Sequence, residues 1–442
     1  MKSEDVLYVQ FQQHILDHFK HEQYGLVLKD FRAMFLMKGF DTEFKYFVLA
    51  RTSYGFLKNN SEYKYYWSTL TDSRMLQAFY IANNLITCEK SCEDLITDFT
   101  ILVDELFDDI DVKNNFIDSF KILAEAYLTS KKTSCIVPDN IVQHDKFLIV
   151  SGYGYSGSGA VCDYFREFSN VVPVLGEVGI LEEHLGFKYF VKNIHDKNKI
   201  SEHAIRFFFI NLIGCYSIEQ LPFYKPIRSS FCVLSKSKNL IEYSFQVKSI
   251  SSLLADIVIE SKLENYSIEN IKQLLKRLSK KLLDLITLDV PSNKIPVLDN
   301  SIHVQNVDLL NYISDIKVIC SFRDPRAIYM ERFGVIKDPC DFIKEQSNLR
   351  KEIGNTIEHL DTTQQDVLFN LNFEDFVLNK ECRENLANKV GLNLDNWIDQ
   401  EKYFKPEVSL KNVRNFINCT DKGVDQKAID LIEKELQQYC YK

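Results

Sequence analysis

Glycine and proline are scarce in this chain of 442 residues, at 15 and 9, and tryptophan occurs only twice. The shortage is sharpest over the first 140 residues, where tight hairpins have little to turn on and a sheet-rich domain is excluded. An excess of positive charge is lacking too. Lys and Arg number 53 against 62 Asp and Glu, a formal net charge of -9, and no stretch forms a local basic face. No nucleic-acid partner is therefore expected. Small anions stay within reach, because a helix N-terminus holds phosphate even in an acidic protein. Long apolar runs are missing: the best, "AIRFFFINLIGC", falls short of the roughly 20 residues a membrane span requires. The opening "MKSEDVLYVQFQQ" carries charges where a signal peptide has its apolar core. The 11 cysteines show no repeating pair spacing; Cys88 and Cys92 stand four apart with no second pair or His partner. No zinc site and no disulfide framework are expected, and free thiols suit a reducing, cytoplasmic setting.

The chain does hold a normal 45% of hydrophobic residues, and its length exceeds one ordinary core. Residues 1–140 return apolar side chains every three to four positions, as in "LYVQFQQHILDHF", "LVLKDFRAMFLM", "SRMLQAFYIANNLIT" and "NFIDSFKILAEAYL". They predict an all-helical accessory domain, with self-association one use for it. The texture changes after "SCIVPDNIVQHDK". Short apolar runs then alternate with helical patterns: "FLIV", "VVPVLGE", "IPVLDN", "IKVICSF" and "DVLFNLNFEDF". Such runs, bounded by turn or charged residues, mark strands buried on both faces, and the alternation predicts an α/β domain over 141–442 with a parallel sheet flanked by helices. Residues 187–295 read as a helical insertion, ending in the strongly periodic "IENIKQLLKRLSKKLLDLI".

The first of these strands runs into a turn holding Gly152, Gly154, Gly157 and Gly159, then into the helical "AVCDYFREF". Strand, glycine turn and helix bring several backbone N–H groups and the positive helix end to one point, which cradles phosphate or sulfate without side-chain charge. The turn contains neither Lys nor Arg. Against the nucleoside-triphosphate pattern G-x-x-x-x-G-K-[ST], Gly152 and Gly157 keep the interval, but Ser158 and Gly159 replace the lysine and the magnesium-binding hydroxyl. An ordinary ATPase or GTPase is disfavoured. Gly152, Gly154 and Gly157 also satisfy G-x-G-x-x-G, yet no acidic residue clearly ends the next strand. A tight turn with no ligand is the plain alternative.

"SGYGYSGSGAVCDYFREF" resembles the 5′-phosphosulfate loop of sulfotransferases. Further pieces follow in the family's order. "IKVICSFRDPRAIYMERF" resembles the strand and turn that bind the donor's 3′-phosphate, "VLFNLNFEDFVLNKECRENLANKVGLN" a later family segment, and "FKPEVSLKNVRNFIN" the C-terminal segment that folds over the cofactor. The likeness covers about residues 145 to 442, so the chain resembles a divergent, bacterial-type member with a P-loop-like sheet.

The resemblance implies an enzyme that moves a sulfuryl group from 3′-phosphoadenosine 5′-phosphosulfate (PAPS) to a hydroxyl or amine, without a metal. A glycan precursor or another large acceptor is expected, in polysaccharide modification. Gly154, Tyr155, Ser156, Gly157, Ser158, Gly159 and Ala160 would hold the 5′-phosphate, and Arg323, with Arg326 beside it, the 3′-phosphate. Ser409, Lys411 and Arg414 would close the pocket. The general base is Glu177, at the end of the second strand, or His303, shortly before the Arg323 strand. Two positions depart from the family. Tyr155 stands where a catalytic Lys or Arg precedes Ser-Gly, and Glu331 where a serine joins the arginine on the 3′-phosphate. These departures leave two alternatives open: transfer of another group from a nucleotide donor, or a non-catalytic nucleotide-binding or scaffold protein.

Overall fold

The structure is a computed structural model that describes residues 78, 81–82, 84–131, 144–174, 179–182, 186–213, 239–333, 338–358, 366–417 and 419–441. "LYVQFQQHILDHF" and "LVLKDFRAMFLM" lie outside the described residues. The chain divides into two compact units, one of Met1–Asp139 with Asn193–Leu274, the other of Asn140–Lys192 with Leu275–Lys442. In chain order the helices are α1 (Cys92–Leu106), α2 (Ile110–Thr129), α3 (Ser158–Phe165), α4 (Phe187–Lys192), α5 (Lys197–Phe207), α6 (Leu240–Lys262) and α7 (Ile268–Ile286). They continue with α8 (Pro325–Arg332), α9 (Pro339–Glu358), α10 (Phe373–Leu378), α11 (Lys380–Lys389), α12 (Pro406–Val413) and α13 (Gln426–Glu435). The strands are β1 (Phe147–Ser151), β2 (Val171–Pro173), β3 (Ile295–Asp299), β4 (Ile316–Phe322) and β5 (Leu368–Asn372).

The first unit is helical in its described residues. Ser91 starts α1 by accepting the Asp94 N–H at 3.1 Å, and Asp109 starts α2 by accepting from Asp111 and Val112. Such caps satisfy N–H groups that have no partner within the helix. The apolar faces then close on aromatics: Phe99 stacks on Phe120 with centroids 4.4 Å apart, and Phe107 on Phe116 at 4.7 Å. A π-turn over Phe208–Leu212 adds Phe208 and Phe209, both buried, to the same cluster. Two polar bonds fix α6 in this core. The Asn115 amide donates to Ser244 Oγ at 3.0 Å, and the Tyr243 hydroxyl donates to the Leu212 carbonyl at 2.9 Å.

The second unit holds a five-stranded sheet in the order β2-β3-β1-β4-β5, parallel at every pairing. The expected α/β architecture, a parallel sheet flanked by helices, is what the structure has. Every residue of β1 is buried, which is why "FLIVS" reads as a continuous apolar run rather than an alternating one. One face of the sheet packs Leu148, Val150 and Ile319 against Val161 and Phe165 of α3 and against Phe376 of α10. Tyr164 sits at the centre of that layer, edge-on to Phe168, Phe376, Trp397 and Phe404. Burying each large apolar side chain stabilises by about 1.5–3 kcal/mol. This layer therefore anchors the start of α3, where the glycine turn ends. Glu167, 1% exposed, fastens the layer to the C-terminal segment. Its carboxylate accepts from Trp397 Nε1 at 2.8 Å and from the Tyr403 and Phe404 N–H groups at 3.1 and 3.0 Å.

Candidate functional site

The central strand delivers the chain to the turn at Ser151, and two glycines make the turn feasible. A Cβ on Gly152 would lie 2.3 Å from Ser156 Oγ, because the loop folds back on itself there. Gly157 has φ +95° and faces the ring of Phe373, which a Cβ would meet at 2.2 Å. Only glycine fits both demands. Between them Tyr155 also takes a left-handed φ of 67°, a conformation costly for a side chain of this size. Its ring points outward, 53% exposed.

The turn is held from three sides. Asn300, just beyond β3, accepts the Gly152 N–H at 2.9 Å and donates to Ser158 Oγ at 3.4 Å. Ser156 is turned inward, 2% exposed; its hydroxyl accepts the Tyr153 N–H and its carbonyl accepts from the Ser321 hydroxyl at 2.9 Å. The Ser156 side chain thus shapes the loop. The Ala160 N–H is likewise committed, to the Gly157 carbonyl at 3.1 Å. Ser158 and Gly159 begin α3, so their N–H groups have no acceptor within the helix and stand at its positive end. Gly154 and Gly159 are open, with nothing within 4 Å of where a Cβ would be. The groups of the turn left open to a ligand are therefore the backbone near Gly154 and the α3 start.

Arg323 follows β4, the neighbour of β1, and is 6% exposed. Its Nη1 donates to the Tyr155 carbonyl at 3.0 Å and its Nη2 to the Asn412 carbonyl, in α12, at 2.6 Å. One guanidinium thus links the loop to the C-terminal segment. A guanidinium has five N–H donors; Arg323 Nε is buried and unpartnered, so donors remain after both bonds. Glu331 lies 3.9 Å from Nη2, and its Oε1 accepts from the Asn415 amide at 2.8 Å. Arg326 is differently placed. It grips the buried Asp324 through Nε and Nη2, donates to the Tyr441 carbonyl at 3.0 Å and pairs with Glu433 at 2.8 Å. Its charge holds α13 and the chain end against the start of α8. Ser409 is half-buried on α12, while Lys411 and Arg414 are exposed on the same segment.

His303 comes three residues after Asn300, within about 11 Å of it along the chain even if extended. One oxygen of Glu182 accepts the His303 backbone N–H and the other meets its ring Nδ1. The Glu182 side chain is 6% exposed and that of His303 41%. Glu177 lies outside the described residues. Among the described residues, no group of three His, Cys, Asp or Glu side chains could hold a metal ion, and no helix is long and apolar enough to cross a membrane.

No protein-family profile matches the chain, and no curated protein matches it. Solved structures similar to it include the sulfotransferase domain of the Synechococcus PCC 7002 olefin synthase. That likeness has 14% identity and a TM-score of 0.32, over 68% of this chain and 98% of that one. Another is the sulfotransferase STF9 from Mycobacterium avium, at 10% identity and a TM-score of 0.32, over 74% of this chain and 84% of that one. A likeness of that size carries no functional weight; the residues of the turn must.

Several further residues brace the site. Glu374 opens α10 fully buried, accepts the Asp324 N–H at 2.9 Å through Oε1, and leaves Oε2 without a partner. Burial, first of all, pushes its carboxyl up to about 7. Arg350 of α9 donates to the Tyr153 hydroxyl and to the Arg323 carbonyl, both at 2.7 Å, tying the loop to the end of β4. Asn300, Glu182 and Arg350 lie outside the segments that resemble the family, and nothing in their local pattern distinguishes them from surface residues; Glu374 lies inside one such segment, "VLFNLNFEDFVLNKECRENLANKVGLN", without having been singled out. Position was a signal too, since Asn300 directly follows the end of β3 and Glu374 is the second residue after β5, where parallel sheets gather their ligand contacts.

Proposed function

We propose that the protein is a sulfotransferase that moves a sulfuryl group from PAPS to a hydroxyl or amine of a glycan-type or other large acceptor. The observation that carries this reading is the bond from Arg323 to the Tyr155 carbonyl. It joins, within one unit, a helix N-terminus suited to a 5′-phosphosulfate and a guanidinium suited to a second phosphate. A donor with anionic groups at both ends matches that pair of sites better than a nucleotide with a single phosphate chain.

In this assignment the backbone from Gly154 to Gly159 receives the 5′-phosphosulfate, with the Ser158 hydroxyl beside it. Arg323 receives the 3′-phosphate through the donors it has left. Ser409, Lys411 and Arg414 cover the nucleotide as α12 closes. His303 or Glu177 takes the acceptor's proton. No cation of the turn itself stabilises the leaving phosphate, so that work falls to the α3 dipole and the loop amides. Residues 1–140 serve as an accessory or self-association domain of a cytoplasmic enzyme.

Glu331, 3.9 Å from Arg323, favours a second reading: the same fold using another nucleotide donor, because a carboxylate there opposes a 3′-phosphate. Calorimetry separates the two. Binding of 3′-phosphoadenosine 5′-phosphate, weakened at least tenfold in Arg323→Ala, supports a PAPS donor. Binding of other nucleotides alone supports the second reading, and binding of none leaves a scaffold.

A further inference from the structure

We propose that Glu182 is a positioning residue for His303, fixing its ring as the Nδ1–H tautomer so that Nε2 faces the chemistry as the base. This deepens the sulfotransferase reading and rests on it for the identity of the reaction. Both oxygens of one carboxylate converge on a single residue, one on the His303 backbone N–H and one on ring Nδ1. Such a clamp fixes the position of the main chain and the orientation of the ring together. The Glu182 side chain is 6% exposed, so the pair is shielded from water on the carboxylate side, while the imidazole, at 41%, is accessible on the other. A carboxylate beside Nδ1 accepts its proton in hydrogen bonding, which dictates the tautomer in the neutral ring and stabilises the imidazolium once Nε2 is protonated.

The fold supplies the placement. Glu182 follows the short turn Gly179–Leu181 after β2, and His303 follows β3, the strand between β2 and β1. Both lie beyond the carboxyl ends of adjacent parallel strands, the side on which the glycine turn leaves β1. Asn300 connects the two features, since its side chain bonds Gly152 and Ser158 while its chain leads directly to His303. In the transfer step, the acceptor oxygen bonds to sulfur as its proton passes to His303 Nε2. The bond from sulfur to the 5′-phosphate oxygen breaks with its electron pair on the phosphate. Glu182 touches neither reactant; it holds the base and offsets the charge the base acquires.

The test uses the full chain with ¹⁵N-labelled histidine and long-range ¹H–¹⁵N NMR, assigning the His303 ring from its loss in His303→Gln. At a pH where the ring is neutral, the wild type is expected to show the Nδ1–H tautomer. Glu182→Gln should shift a readily measured fraction to Nε2–H, and Glu182→Asp should retain Nδ1–H. A wild-type ring in the Nε2–H form, or no change in Glu182→Gln, overturns the proposal. With turnover, Glu182→Gln should lower kcat about 10²-fold or more with little change in the donor KM; unchanged kcat also overturns it. The tautomer is read without donor, so the two ideas fail separately. A correct tautomer in a chain that binds no bisphosphate nucleotide keeps the dyad and removes the sulfotransferase.

Discussion

Replacing Gly157 with alanine tests the geometry of the turn, and the structure sets the size of the effect. A side chain at φ +95° costs about 1–2 kcal/mol, because Cβ crowds the adjacent carbonyl in left-handed backbone. The new methyl would also stand 2.2 Å from Phe373 Cδ2 and 2.5 Å from Cε2. Phe373 is 2% exposed and cannot swing into solvent, so relieving the overlap displaces packed neighbours, at about 1–3 kcal/mol. The sum, about 2–5 kcal/mol, corresponds to a fall of roughly 4–20 °C in the melting of a unit this size. Thermal unfolding followed by circular dichroism measures it. Gly154→Ala and Gly159→Ala are the controls: each places its methyl in open space without a positive φ, and each should melt within about 0.5 kcal/mol of wild type. Gly157→Ala with Phe373→Leu should recover the steric part alone. A Gly157→Ala protein that melts with the wild type would refute the loop conformation.

Glu167→Gln keeps the shape of the buried carboxylate but turns an amide toward Trp397 Nε1, setting donor against donor; a loss of about 1–3 kcal/mol is expected, read from denaturant midpoints by tryptophan fluorescence. Glu374, whose ordinary value of 4.5 is pushed up to about 7, holds its proton longer when folded than when unfolded. Its stabilising contribution is therefore complete below about pH 4.5 and lost as pH rises to about 7. Relative to wild type, Glu374→Gln should gain about 3 kcal/mol across that window, and parallel stability–pH curves for the two would contradict this. Arg326→Ala strands the buried Asp324 carboxylate and should cost about 3–5 kcal/mol of stability. A variant that stays as stable as wild type but loses bisphosphate binding would make Arg326 a ligand instead.

The strands were legible because each contains a short apolar run stopped by a turn or charged residue, most clearly in β1, where burial on both faces leaves the pattern almost wholly apolar; the edge strand β5, LFNLN, already mixes in polar and exposed positions. "FLIVS" and "IKVICSF" are the clearest cases, and they form the central pair β1 and β4. The glycine turn was legible for a related reason: close approach at Gly152, and positive φ with close approach at Gly157, call for glycine, so part of the backbone geometry is written in composition, although Tyr155 takes a positive φ in the same turn. Strand order was not, because β3 enters the sheet between β2 and β1 after more than a hundred intervening residues. Pairings of side chains were less legible still. Ser156 looks like a ligand hydroxyl in sequence, yet it faces inward to hold Tyr153, and Arg326 looks like a partner of Arg323, yet Asp324 and Glu433 take its charge. Glu182 and His303 are separated by 121 positions and meet only because β2 and β3 are neighbours.

A crystal structure of the chain soaked with 3′-phosphoadenosine 5′-phosphate is the most direct measurement of where a doubly anionic nucleotide sits. Density for the 5′-phosphate against the Ser158 and Gly159 amides, with the 3′-phosphate on Arg323, is the predicted result. A nucleotide bound elsewhere, or an empty turn at saturating concentration, would contradict the account.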